Sequence, residues 1–209
     1  IAAMPVYWRY DQLVKLVSLR YCRGMEGKRI LNLIERIGAL VRSDTRREAG
    51  PHELNPVHIQ ALNYVARANR FSDMPLAVGE YLGLTKGNVS QRLNVLERLD
   101  LLRKEADDSD GRVVHLKLTG KGKRVLRETH PPPSWREAAN LMDEKQFADL
   151  ERQLNGVLHA LAAANEFRSF GQCNTCRFHE QHGTHAFCGL LQVDLDAEQA
   201  EKICREHQP

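Results

Sequence analysis

Much of what this chain does comes into view through what it lacks. None of its 209 residues form an apolar run near the roughly 18 that a membrane helix requires, and no secretory leader pattern opens the chain. The expectation is therefore a cytoplasmic protein with no membrane partner. Net charge is slight, +3 overall, and carries no information until it is divided along the chain. No oriented general base or nucleophile set stands out, which argues against an enzyme. Cysteine is nearly missing before residue 170, where only Cys22 occurs, and the other four crowd into the last forty or so residues.

The richest stretch is 74–119. Gly83 interrupts the apolar pattern Val78, Leu82, Leu84 and suits a sharp corner between two helices. Thr85 offers a side-chain oxygen as N-cap of the second helix. On that helix Val89, Leu93 and Leu96 recur at i, i+4 and i+7, one buried stripe. The other face carries Ser90, Gln91, Asn94 and Arg98, with Lys86 and Asn88 near its start. Such short donors and acceptors suit base edges and phosphates, or else an ordinary solvated face.

A second element tips the balance. The run Asp107, Asp108, Ser109, Asp110, Gly111 is turn chemistry. After it Val114, Leu116 and Leu118 alternate with Val113, His115 and Lys117, a strand with one covered face. Arg112 is expected at the base of this hairpin, near a phosphate or a minor groove. Helix, turn, helix and hairpin together predict a winged helix-turn-helix, whose second helix enters the major groove of duplex DNA. Between residues 85 and 127 eleven Lys and Arg stand against six Asp and Glu, so this unit carries +5 and the remainder −2. Positive charge gathered there attracts phosphate.

The segments L-G-L-T-K-G-N-V-S (82–90), L-x-x-L-E-R-L-D-L-L (93–102) and D-G-R-V-V-x-L-x-L-T-x-K-G (110–122) resemble MarR-family transcriptional regulators over about residues 28 to 167. The resemblance implies a homodimeric repressor on a pseudo-palindromic operator, released by a small molecule, a metal or an oxidant. It also implies that small-molecule effectors bind between the dimerisation helices and the winged lobe. Three features depart from it. Ser109 and Gly111 stand where wing-tip arginines are common, prolines 131–133 break the first of two long C-terminal helices, and both ends carry extensions.

The whole chain is thus expected to be mainly α with a small β wing. An N-terminal helical extension (1–27, a helix over 7–22) precedes a dimerisation helix (28–53) with the stripe Ile30, Leu33, Ile34, Ile37, Leu40 and Val41. The winged domain (54–119) has its first helix begun by Pro56, with His58, Ala61, Leu62 and Val65 inward. C-terminal dimerisation helices (120–168) follow, capped by Thr119 and carrying Leu150, Leu154, Val157, Leu158 and Leu161 at helical spacing. Some relatives sense peroxide through an N-terminal cysteine, but Cys22 is read here as a packed structural residue.

The tail (169–209) holds Cys173-x2-Cys176, Cys188 and Cys204. A C-x-x-C pair lets two thiolates grip one centre. So few large apolar side chains cannot build a core unaided, and a structural metal contributes about 10–16 kcal/mol. Disulfides are disfavoured in a reducing compartment. Four thiolates at irregular spacing favour an iron–sulfur cluster, with zinc as the alternative, completed by His179, His182, His185 or His207. Residues 194–206 read as a helix delivering Cys204 from its last turn. The tail is expected to fold against the N-terminal or dimerisation helices, so that the cluster reports iron, oxygen or redox state by changing the spacing of two reading helices.

Overall fold

The computed structural model describes residues 25–108, 110–165, 168–183 and 185–209. The N-terminal helix expected over 7–22, Cys22 and Ser109 lie outside the described residues. The chain divides into two compact units, Ile1–Ser43 and Asp44–Pro209. Helix α1 (Met25–Ala49) makes up the whole described part of the first and ends in the second. Its stripe is exposed, with Ile30, Leu33, Ile34, Ile37 and Leu40 between 38% and 61% exposed.

In the second unit, α2 (Pro56–Arg67) starts on a strong signal. The Asn55 side chain accepts from the backbone N–H groups of Val57 and His58, His58 closes a capping box, and Pro56 occupies the first turn. As expected, His58, Ala61, Leu62 and Val65 are buried. Helices α3 (Pro75–Leu82) and α4 (Lys86–Arg98) meet at Gly83, whose φ of +63° is the left-handed corner that a glycine takes freely. Thr85 precedes α4 as foreseen, but its side chain makes no capping bond. Val89, Leu93 and Leu96 bury against α2, α3, Leu101, Leu102 and Leu116.

Strands β1 (Leu102–Ala106) and β2 (Val114–Leu118) pair antiparallel, Leu102 opposite Leu118 and Ala106 opposite Val114. In the turn between them the Asp107 carboxylate accepts from Asp110 N–H and the Asp110 carboxylate from Arg112 N–H. These side-chain turns delay the second strand to Val114. Arg112 therefore sits in the distal connection of the hairpin rather than at its base.

Thr119 caps α5 (Gly120–Thr129) by accepting from Gly122 N–H, and the prolines end it. Gly122 is obligatory, because a Cβ there would lie 1.9 Å from the Leu101 carbonyl oxygen. The broken helix resumes briefly as α6 (Pro133–Ala139). Helix α7 (Glu144–Ala164) begins with an Asp143–Gln146 capping box. Leu150, Leu154, Val157, Leu158 and Leu161 remain 38–56% exposed, a second exposed apolar stripe.

The tail is built of short strands joined by turns, not the long helix expected over 194–206. Its elements are β3 (Gly171–Gln172), β4 (His179–His182), β5 (His185–Cys188), β6 (Val193–Leu195), the short α8 (Ala197–Glu201) and β7 (Ile203–Cys204). Strands β4, β5 and β6 form a meander, and β3 pairs with β7, placing Gly171 opposite Cys204. Asp196 caps α8, but Lys202 turns extended and its carbonyl accepts from Cys173 N–H, so strand pairing ends the helix early. Cys204 thus arrives on a strand.

This tail packs on the winged unit rather than chiefly on the dimerisation helices. Ile203 is buried in the winged core, and Phe170 packs edge-on against Tyr64 and Tyr81. Its contact with α7 includes the stacking of His207 on His159 at 6.4 Å.

Candidate nucleic-acid interface and cysteine cavity

The polar face of α4 is presented to solvent. Lys86, Asn88, Ser90, Gln91, Asn94 and Arg98 are all exposed, as is Arg112 on the wing. Ser90, Gln91, Asn94 and Arg98 share a face because the opposite side of α4 is consumed by the stripe Val89, Leu93, Leu96, which is 0–3% exposed. Asn94 has a structural partner as well: Lys104 on β1 donates to its side chain at 2.8 Å and to Glu97 at 2.7 Å, tying helix to wing. Lys121 donates to the Leu99 carbonyl at 2.9 Å, where a cation suits a helix C-terminus.

The wing has an anchor that its alternation did not reveal. Asp73, in the loop between α2 and α3, is 2% exposed. Its carboxylate accepts from His115 Nδ1 at 2.5 Å and Lys117 Nζ at 2.6 Å, and its carbonyl accepts from Leu116 N–H at 2.7 Å. The hydrogen bond to Asp73, helped by one to Asp107, raises the His115 pKa above its ordinary value against the desolvation that lowers it. A side chain read as solvent-facing is thus part of a buried-carboxylate network. The sequence carries no local signal for a pairing over 42 residues.

The four tail cysteines converge. Cys173, Cys176, Cys188 and Cys204 line one cleft of about 290 Å³ including its mouth, walled also by Phe178, His179, Leu190, Leu191, Leu195 and Glu206. All four are free thiols. N–H donors point at two of the sulfurs: Asn69 Nδ2 lies 3.3 Å from Cys173 Sγ, and Gln208 N lies 3.4 Å from Cys176 Sγ. Cys173 and Cys204 are hydrogen-bonded to each other. The hydrogen bond from Cys173 holds the Cys204 thiol well below its ordinary pKa, with help from Glu206 N–H, Asn69 and Ser72, and pushes Cys173 up. Among the described residues no three Cys, His, Asp or Glu side chains stand in an arrangement that would hold a single metal ion.

The histidines separate. His207 has both ring nitrogens engaged, Nδ1 with Ser169 and Nε2 with Thr175, and its ring fills the space where a Gly171 Cβ would go. His182 and His185 sit on the exposed hairpin, facing Glu180 and Asp194. Those three are not poised for the zinc set considered from spacing. His179 differs: it lines the cleft, and its buried Nδ1 has no hydrogen-bond partner.

An α4 helix with a polar outer face, followed by a two-stranded wing, defines the winged helix-turn-helix class. Residues 52–113 match the model of the MarR family. Over 85 residues the chain is 29% identical to the HTH-type transcriptional regulator MgrA of Staphylococcus aureus, covering 41% of this chain and 58% of that protein. The chain thus spans little more than half the length of that relative. In fold it is similar to the regulator BldR from Sulfolobus solfataricus (TM-score 0.53, 21% identity, 64% of this chain and 95% of that one). It is similar also to Streptococcus pneumoniae FabT in complex with DNA (TM-score 0.52, 23% identity, 66% and 98%). It is the winged helix-turn-helix of this chain that is similar to the MarR family. The family match ends at residue 113, well before the cysteines.

Proposed function

We propose that the protein is a homodimeric, DNA-binding transcriptional regulator acting in the cytoplasm, whose four-cysteine cleft holds an iron–sulfur cluster responsive to iron, oxygen or redox state. The observation that carries the first part is the exposed polar face of α4 beside the wing, within a stretch (85–127) of net charge +5. FabT, a similar fold, is named in complex with DNA. The two apolar stripes, on α1 and on α7, supply the surfaces through which two copies would associate. No helix among the described residues is long and apolar enough to cross a membrane.

The cluster reading rests on the cleft. Four free thiols line it, and among the described residues no three Cys, His, Asp or Glu side chains are grouped to hold one ion. Tetrahedral zinc at about 2.3 Å from each sulfur draws its ligands to roughly 3.8 Å from one another, whereas a cluster with an iron at each corner accepts wider spacing. N–H groups aimed at the sulfurs suit thiolates that stay negative. One observation favours zinc instead: the partnerless Nδ1 of His179 beside the cleft, as a Cys3His site would need. For either centre to regulate, loaded and empty forms must differ in DNA affinity.

Purification without oxygen, with iron, acid-labile sulfide and zinc measured per chain, separates the readings. Iron and sulfide together with broad visible absorption, lost in Cys188→Ser, support the cluster. One zinc per chain with no iron supports the alternative, and neither metal removes both.

A further inference from the structure

The cysteine cleft is not built by the tail alone. Its core is Cys173, Ala186, Cys188, Leu195, Ala200 and Cys204, so half of the buried apolar groups are thiols. A cluster this small depends on whatever those sulfurs hold. Beyond the tail residues that line it, Cys173 is also held from the loop joining α2 to α3, the first two helices of the DNA-reading lobe.

Asn69, fully buried, sits at the centre of that loop. Its backbone N–H donates to the Ile203 carbonyl at 2.9 Å, completing a bridge of Ala68 to Ile203. Its side-chain amide donates to Cys173 Sγ at 3.3 Å while its oxygen accepts from Phe71 N–H at 3.1 Å, which fixes the amide's orientation. Three residues on, the Ser72 hydroxyl accepts from Arg205 N–H at 2.8 Å, beside Cys204. The Ser72 carbonyl accepts from Tyr64 Oη at 2.8 Å. Arg205 in turn forks onto Glu80 of α3, its Nη2 at 2.8 Å. The next residue is Asp73, which holds β2 through Leu116, His115 and Lys117.

We infer that the α2–α3 loop completes the cysteine centre and transmits its occupancy to the wing. Asn69 acts as a positioning residue at Cys173, and the Asn69–Asp73 segment is the connection. This rests on the proposal that the cysteines hold a metal centre. With the centre in place, the sulfurs and the Ile203 carbonyl give the buried polar groups of the loop their partners. When the centre is lost, the thiol-rich core loosens, and Asn69 and Ser72 lose those partners together. A buried amide without a partner is costly, so the loop rearranges, and Asp73 no longer presents three acceptor contacts to β2. The signal thus reaches the reading lobe within one subunit, without first altering the dimer spacing.

The test is amide hydrogen exchange on the full chain, purified without oxygen and compared with the same protein stripped by oxidation and chelation. Stripping is expected to raise exchange about tenfold or more in peptides over 68–74 and 113–118. Peptides on α7 should change much less. In Asn69→Ala that keeps its metal, the wing of the loaded protein already exchanges like the stripped wild type. If Asn69→Ala sheds its metal, that supports the lobe's share in the site, and the comparison of loaded with stripped wild type alone carries the wing test. Unchanged wing exchange on stripping, or a loaded Asn69→Ala indistinguishable from loaded wild type, overturns the coupling. Wild-type protein with neither iron nor zinc overturns instead the reading on which it rests.

Discussion

At residue scale the most consequential group is Asp73, a buried carboxylate facing one lysine and one histidine. His115 is also near Asp107 and Lys117, the other charges that face it. Because Asp73 raises the His115 pKa in the folded protein, the protonated pair contributes stability that is full below the unfolded histidine value, about 6.5. It is lost as pH climbs through the raised folded value. Thermal unfolding should therefore show the wing's contribution at pH 6 fading by pH 9. Asp73→Asn should lower stability at pH 6 by about 1–3 kcal/mol, in keeping with charge-assisted bonds to a buried acceptor, and flatten that pH dependence. A variant as stable as wild type with the same pH profile would remove Asp73 from the wing's support.

Among the elements, legibility followed the range of the interactions. Helix α4 and its corner could be read directly, since a stripe at Val89, Leu93 and Leu96 with a glycine at 83 is local information. The same holds for Thr119 and Asp143, whose caps are written within four residues. The strands of the tail could not be read so. Cys204 lies on β7 because Gly171 pairs with it across 33 positions, and nothing between 194 and 206 announces that partner. The α2–α3 loop was similarly opaque: Asn69 and Ser72 look like ordinary turn residues until residues more than a hundred positions away approach. The convergence of four cysteines was legible, but which histidine joins them was not. His207 was taken by Ser169 and Thr175, while His179 kept a nitrogen open at the cleft.

The exposed stripes make an element-scale prediction. Leu158 is 53% exposed and lies mid-stripe on α7. Leu158→Glu should leave the isolated subunit folded but weaken self-association at least about tenfold, since burying an unpaired charge is costly. Sedimentation velocity with circular dichroism checks this. Unchanged association would place the dimer surface elsewhere.

For the whole molecule, two of the reading units acting together is the claim on which the rest depends. A symmetric pair requires half-sites one helical turn apart, about 34–36 Å, and a cationic surface requires binding that weakens with salt. The most direct measurement is to let the protein select duplexes from a random pool and follow the enriched sequences by fluorescence anisotropy across a salt series. The account predicts an inverted repeat with half-sites one turn apart. Log affinity should fall linearly with log salt concentration, and Arg98→Ala or Lys86→Ala should weaken binding without changing the fold. Failure to enrich any sequence, or affinity indifferent to salt and to both substitutions, would contradict it.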